Sequence, residues 1–228
     1  MRVLQICSYY LGSDLYEKLY GYLEQYLKKN IIYVPHHKKV YIDKNIANLK
    51  KENLILSECY KSFERLFFYH KENKIFQDLC KKVDVSTIDI CHAHSLFSNG
   101  YLAYKIYKKY GVSYIVAVRN TDVNTFFKRF WWLRKLGVEI LRNARKIVFI
   151  STAYRDIVFN QYIPKQYKKD ILSKCIVIPN GVDEFWLKNN VLENVAYNTD
   201  FCIEITNNSE TIYSNIQKPS CFYSPFHQ

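Results

Sequence analysis

Cys175-Ile176-Val177-Ile178-Pro179-Asn180-Gly181-Val182-Asp183 is a short run of apolar β-formers that feeds directly into a Pro-Asn-Gly turn. Proline lacks the amide hydrogen that a ladder needs, and Asn-Gly favours turns with φ above zero, so the strand must stop there. A globular unit therefore closes near residue 185. Beyond it, residues 189–228 are polar and almost unpatterned, with a candidate strand at Phe201-Cys202-Ile203-Glu204-Ile205 and then Asn207, Asn208, Ser209 and two late prolines.

Upstream, similar short runs recur at 2–7, 31–35, 53–57, 88–91, 114–118 and 146–150. Between them lie helical patterns at 15–29, 62–83, 97–110, 123–142 and 152–162. Leu15, Leu19, Tyr22, Leu23, Tyr26 and Leu27 mark the first of these, and Phe63, Leu66, Phe67, Ile75 and Leu79 the second. Continuous apolar strands that alternate with helices require parallel crossovers and a sheet covered on both faces. The predicted fold class is α/β, a doubly wound, Rossmann-like parallel sheet in a single lobe over residues 1–188, with 189–228 as a polar tail.

Composition bounds the function. The 228 residues are 49% hydrophobic and 24% charged, enough for one full core and at most part of a second. Seven cysteines form no C-x-x-C pair and have no His partner at zinc spacing, and several sit inside apolar runs. Free thiols in a reducing compartment are expected, with no disulfide and no metal. The N-terminal run is interrupted at Ser8-Tyr9-Tyr10, too early for a signal segment, and no later run reaches membrane-spanning length. A cytoplasmic location is the expectation. The net charge is +12, but residues 191–228 hold Lys218 against Glu193, Asp200, Glu204 and Glu210, so the tail is −3 and the body +15. A basic body attracts phosphates of nucleotide-sugars, nucleic acid or anionic lipid, and plain lysine use for solubility explains it equally well.

In an open parallel sheet, ligands bind beyond the carboxyl ends of the strands. Those ends carry Ser8-Tyr9-Tyr10 with Gly12 beyond, Pro35-His36-His37, His92-Ala93-His94-Ser95, Arg119-Asn120-Thr121-Asp122, Ser151-Thr152 and Asn180-Gly181. His92 and His94 share one face of a strand; with no third ligand nearby, one is expected to bond the neighbouring loop and the other, His94, to line the cleft. Thr121 or Asp122 could cap the following helix and need no further role. Arg119 ends a buried strand and needs an anionic or hydrogen-bonding partner; a phosphate or a carboxylate would serve.

With Pro179-Asn180-Gly181-Val182-Asp183 closing the lobe, the chain resembles the N-terminal half of a family 4 glycosyltransferase of the GT-B type over roughly residues 1–188. Members often carry His-Gly-Thr-Asp where this chain has Arg119-Asn120-Thr121-Asp122, so Thr121 and Asp122 match while Arg119 replaces the titratable histidine and Asn120 the glycine. The resemblance implies the acceptor-binding half of a retaining, nucleotide-sugar-dependent enzyme of glycan or polysaccharide biosynthesis. Arg119 and Asp122 are then the candidate catalytic residues, and Ser8, Gly12, His94, Asn120, Thr121 and Asn180 the candidate substrate-binding ones. If the donor phosphate takes the acceptor's proton, as proposed for the class, Arg119 would stabilise phosphate charge. No cofactor is implied, the nucleotide-sugar being a substrate, and the acceptor would be a glycan or a lipid-linked one. The family holds the nucleotide mainly in a second lobe whose motifs are missing here, so the chain alone is expected to turn over poorly.

Residues 125–136 combine Phe126, Phe127, Phe130, Trp131 and Trp132 with Lys128, Arg129, Arg134 and Lys135. Two readings stay open: aromatics shared with a core or lobe interface, or peripheral contact with the anionic inner face of the cytoplasmic membrane. The alternative to a transferase is a non-enzymatic basic module for anionic lipid or nucleic acid. Without a helix-turn-helix, RNA-binding aromatic or zinc pattern, no specific nucleic acid is expected. A dinucleotide enzyme is excluded at Cys7-Ser8-Tyr9-Tyr10-Leu11-Gly12, which lacks G-x-G-x-x-G.

Overall fold

The computed structural model describes residues 1–37 and 53–180. Asn180 ends the first of two compact units; the second, Gly181–Gln228, with the polar tail and its candidate strand, lies outside the described residues. Seven strands form one sheet: Arg2–Ile6 (β1), Lys29–His37 (β2), Leu54–Tyr60 (β3), Ile90–Ala93 (β4), Tyr114–Val118 (β5), Lys146–Phe149 (β6) and Cys175–Val177 (β7). Their order is β3-β2-β1-β4-β5-β6-β7 and every pairing is parallel, which is the doubly wound arrangement the strand and helix alternation predicts. The order reverses between β1 and β4, the place where an open parallel sheet offers a ligand crevice at its carboxyl edge.

The helices are Asp14–Glu24 (α1), Phe68–Lys82 (α2), Ser98–Tyr110 (α3), Arg134–Asn143 (α4), Thr152–Gln161 (α5) and Lys165–Leu172 (α6). Ser13 Oγ caps α1 by accepting from Leu15 N. The helix stops at Glu24, short of the expected residue 29, because Lys28 N and Lys29 N turn to Met1 O and open β2. The pattern at 62–83 divides into a 3₁₀ turn, Ser62–Leu66, and α2, with Phe67 off helical geometry (φ −111°, ψ 84°) between them. The pattern at 123–142 divides into a π-helical segment, Asp122–Phe127, a 3₁₀ turn, Trp131–Leu133, and α4. α6 is an addition to the expected elements.

Pro35 lies inside β2, which has a neighbour on each side, and costs no ladder bond. Pairing of β1 with β2 ends where Tyr33 O accepts from Cys7 N. Pro35 shares the parity of Tyr33, so its missing N–H faces the side that β1 has already left.

Alternation along the strands splits the interior in two. Leu4, Ile6, Tyr33, Cys91 and Ala93 join the main core with Val116, Phe97 and Leu141. Cys7, Ile32 and Val34 join Tyr10, Tyr16 and Tyr20 of the α1 side in a smaller one. Across that second face runs a buried polar ladder: Gln5 Nε2 donates to Asn30 Oδ1 at 3.0 Å, and His94 Nε2 lies 2.9 Å from Gln5 Oε1. Since the Gln5 amide oxygen can only accept, His94 carries its proton on Nε2.

Candidate functional site

The crevice is built from the segments that leave β1, β4, β5 and β7. Gly100 lets α3 start close under β4: an added Cβ would stand 3.1 Å from Ser95 O and 3.1 Å from Val116 Cγ2. That leaves the amides of residues 96 and 97 without intrahelical partners. Asp122 supplies them. Its Oδ2 accepts from Leu96 N at 2.9 Å and from Arg119 N at 2.9 Å, and its Oδ1 accepts from Phe97 N at 3.1 Å. The expected caps of the helix after β5 are thus corrected: Thr121 makes no capping bond, and Asp122 stabilises the start of α3, one strand away. Asp122, the expected catalytic carboxylate, is 1% exposed and turned onto these three backbone amides. Burial pushes its carboxyl up to about 6, against the three backbone donors and the nearby Arg119 charge.

Arg119 takes the opposite course. From the end of β5 its half-buried side chain crosses the carboxyl edge, donating from Nε to His94 O at 3.3 Å and from Nη1 to Asn180 Oδ1 at 2.9 Å. The guanidinium therefore ties β4, β5 and the turn after β7 together. Among the described residues it meets carbonyl and amide oxygens and no carboxylate in ion-pair range. Its charge stays available to an external anion.

Of the two histidines, His94 is not placed at the cleft as expected. His94 is wholly buried, and its ring lies edge-on to Tyr16 at 5.2 Å and to Tyr20 at 5.5 Å. It holds the ladder beneath α1 and does not line the crevice. His92 keeps partial exposure, 4.1 Å from the His94 ring between centroids. Burial, followed by the Arg119 charge, lowers His92 to about 4, and burial holds His94 well below the usual imidazole range. Both rings are neutral at pH 7, so either can accept a hydrogen bond and neither brings an imidazolium.

Ser8 is half-buried, its N–H donating to Asn99 Oδ1 at 3.3 Å. Gly12 ends the 3₁₀ turn Tyr10–Gly12, and an added Cβ there would meet nothing within 4 Å, so the chain itself imposes no need for glycine. Asn120, Thr121 and Asn180 are exposed, and Asn124 Nδ2 bonds to Asn120 Oδ1. The Tyr9 hydroxyl lies against the Thr121 side chain, joining the loop after β1 to the one after β5. Tyr9 and Asn99 are not among the expected site residues, and His92 is expected only to bond the neighbouring loop. Tyr9 and His92 had a weak signal in their places at strand ends, and Asn99 had none. Among the described residues no three His, Cys, Asp or Glu side chains gather as a metal site, and no helix is long and apolar enough to cross a membrane.

Comparison with known proteins bears on this crevice. Residues 58–184 match the model of Glycosyltransferase Family 4. The comparison with curated proteins gives no match. Among solved structures, the chain is similar to the crystal structure of Arabidopsis thaliana UGT89C1 complexed with UDP, at 11% identity and a TM-score of 0.43, over 80% of this chain and 49% of that one. It thus spans about half the length of that chain. With the family match covering more than half of its residues, and running from β3 to just past Asn180, the chain belongs to Glycosyltransferase Family 4.

Proposed function

We propose that residues 1–188 are the acceptor-side half of a retaining, nucleotide-sugar-dependent glycosyltransferase whose acceptor is a glycan or is lipid-linked. The observation that carries this reading is the Arg119 guanidinium, held across the ends of β4 and β7 by His94 O and Asn180 Oδ1, with no carboxylate in ion-pair range of it among the described residues. A diphosphate leaving group gathers negative charge as the bond to the anomeric carbon breaks, and a fixed cation at the crevice stabilises it. In a retaining transfer the acceptor hydroxyl attacks on the face from which the diphosphate departs, and a phosphate oxygen takes the hydroxyl proton. His92, neutral and partly exposed beside Arg119, can accept a hydrogen bond from a second hydroxyl of the acceptor and so orient the sugar, leaving the attacking hydroxyl's proton to the phosphate. Asp122 acts through the backbone, holding the loops that place both groups.

Calorimetric titration of the full chain with nucleoside diphosphates, joined to a transfer assay with nucleotide-sugars, tests this. Arg119→Gln should lower diphosphate affinity by tenfold or more while costing about 1 kcal/mol of folding stability. Unchanged diphosphate binding in a normally folded Arg119→Gln protein would leave Arg119 a structural tie between β4, β5 and the turn after β7.

A further inference from the structure

Two segments far apart in sequence place large apolar side chains in water at the same edge of the sheet. The first is the 3₁₀ turn before α2, where Phe63 is 59%, Leu66 83% and Phe67 61% exposed, with Tyr69 following at 46%. The second is the 3₁₀ turn after β5, where Trp131 is 70% and Trp132 52% exposed. A continuous line of ring contacts joins them: Tyr69 to Phe68 at 5.4 Å, Phe68 to Phe126 at 6.0 Å, Phe126 to Phe130 at 5.5 Å, Phe130 to Trp132 at 5.2 Å. Six exposed apolar side chains on two segments that this line of rings joins exceed the scattered exposure an ordinary surface shows.

The exposed charge within these two segments has one sign. Lys61, Arg65, Lys128, Arg129 and Lys135 are all exposed. The acids of the same two segments, Glu64, Glu72 and Asp122, are buried at 4%, 0% and 1% exposure. Glu64 is taken up by Lys74 and the Lys61 amide, and Glu72 by Lys71. Within residues 61–72 and 122–135 the acids are thus buried and these five cations exposed, while Glu58, just ahead of the first stretch, is exposed. We infer that this ridge, built jointly by the start of α2 and the segment before α4, docks the protein on an anionic lipid bilayer. Tryptophan and phenylalanine would enter at headgroup depth and the five cations face anionic headgroups. Because α2 starts and β5 ends at the edge that carries the crevice, docking there brings the crevice to the membrane surface. The inference is independent of the transferase reading, since it concerns a surface and not a reaction.

Sedimentation of the full chain with vesicles tests it. Vesicles of equal parts phosphatidylglycerol and phosphatidylcholine should bind the protein at least tenfold more tightly than phosphatidylcholine alone, and raised salt should weaken that binding, each cation being worth about fivefold near such a surface. Trp131→Ser with Trp132→Ser, and separately Phe63→Ser with Leu66→Ser and Phe67→Ser, should each lower binding by tenfold or more. Their unfolding midpoints should stay within about 3 °C of the parent, because the side chains are exposed. Three results would overturn the inference. One is failure to bind either vesicle. Another is binding that both aromatic variants retain, which would make it a diffuse effect of the basic body. The third is a dimer in sedimentation velocity that the aromatic variants abolish, which would assign the ridge to a second copy of the chain.

Discussion

Asp122 and Arg119 stand on one turn, yet the fold sends one inward and the other across the crevice. A carboxylate that accepts three backbone N–H bonds cannot be replaced by an amide without turning an NH₂ group toward donors. Asp122→Asn should therefore cost about 1–3 kcal/mol of stability in urea unfolding, although it removes no side-chain contact with a substrate. The histidines give a sharper test because their sign is fixed. His94 sits well below its usual 6.5, so the unfolded chain binds a proton that the folded one refuses; stability is full above 6.5 and falls as pH drops through it. Asp122, raised to about 6, and Glu72, also raised by burial, act in the opposite sense, since the folded state holds their protons more tightly. Only a difference between proteins isolates the imidazole. Wild type should lose stability relative to His94→Gln by about 1.4 kcal/mol per pH unit below pH 6.5. A flat difference between pH 7.5 and 5 would mean that folded His94 accepts the proton. Residue spacing could not separate the two histidines: i and i+2 share a face whichever is covered, and it is α1, with Tyr16 and Tyr20, that covers His94.

Strands are the elements that sequence renders best here, because an apolar run with no polar alternation has one stable place, inside a covered parallel sheet. Helices are legible in position and less so in continuity. Phe67 and Phe130 break their helices through backbone geometry that periodicity does not express, and the aromatics of 126–132 satisfy no single helical face because they lie on a π-helical segment, a connecting residue and a 3₁₀ turn. α6 hid behind its charge, with only Tyr167 and Ile171 facing inward after Pro164. Gly137 in α4 shows what packing decides and local preference does not. Alanine is intrinsically better in a helix by about 1 kcal/mol. Here its Cβ would stand 2.8 Å from Phe97 Cζ and 3.0 Å from Phe127 Cζ, and both rings are wholly buried. Overpacking should win, so Gly137→Ala is expected to destabilise by a net 1–2 kcal/mol or so in urea unfolding. A stabilised variant would mean the two rings have room to move.

At the scale of the whole molecule the sheet is graded, and strand order is the part of the fold that no stretch of sequence announces. β1 and β4 lie at its centre with neighbours on each side, whereas β7 ends the order among the described residues, spans three residues and leaves Ile176 40% exposed. Local opening should follow that grading, since strands with few buried contacts open at lower free energy than the core. Free cysteines sample it from one edge to the other: Cys59 in β3, Cys7 just past β1, Cys91 in β4 and Cys175 in β7. Burial pushes the thiols of Cys7 and Cys91 up to about 12 and that of Cys175 up to about 11, so few of these exist as thiolate at neutral pH and alkylation waits for the strand to open. In pulsed alkylation read by mass spectrometry, Cys175 should label well before Cys59, and Cys7 and Cys91 last and together, at a rate close to that of global unfolding. Cys91 reacting as fast as Cys175 would mean that the sheet opens as one unit and that its edge is no weaker than its centre.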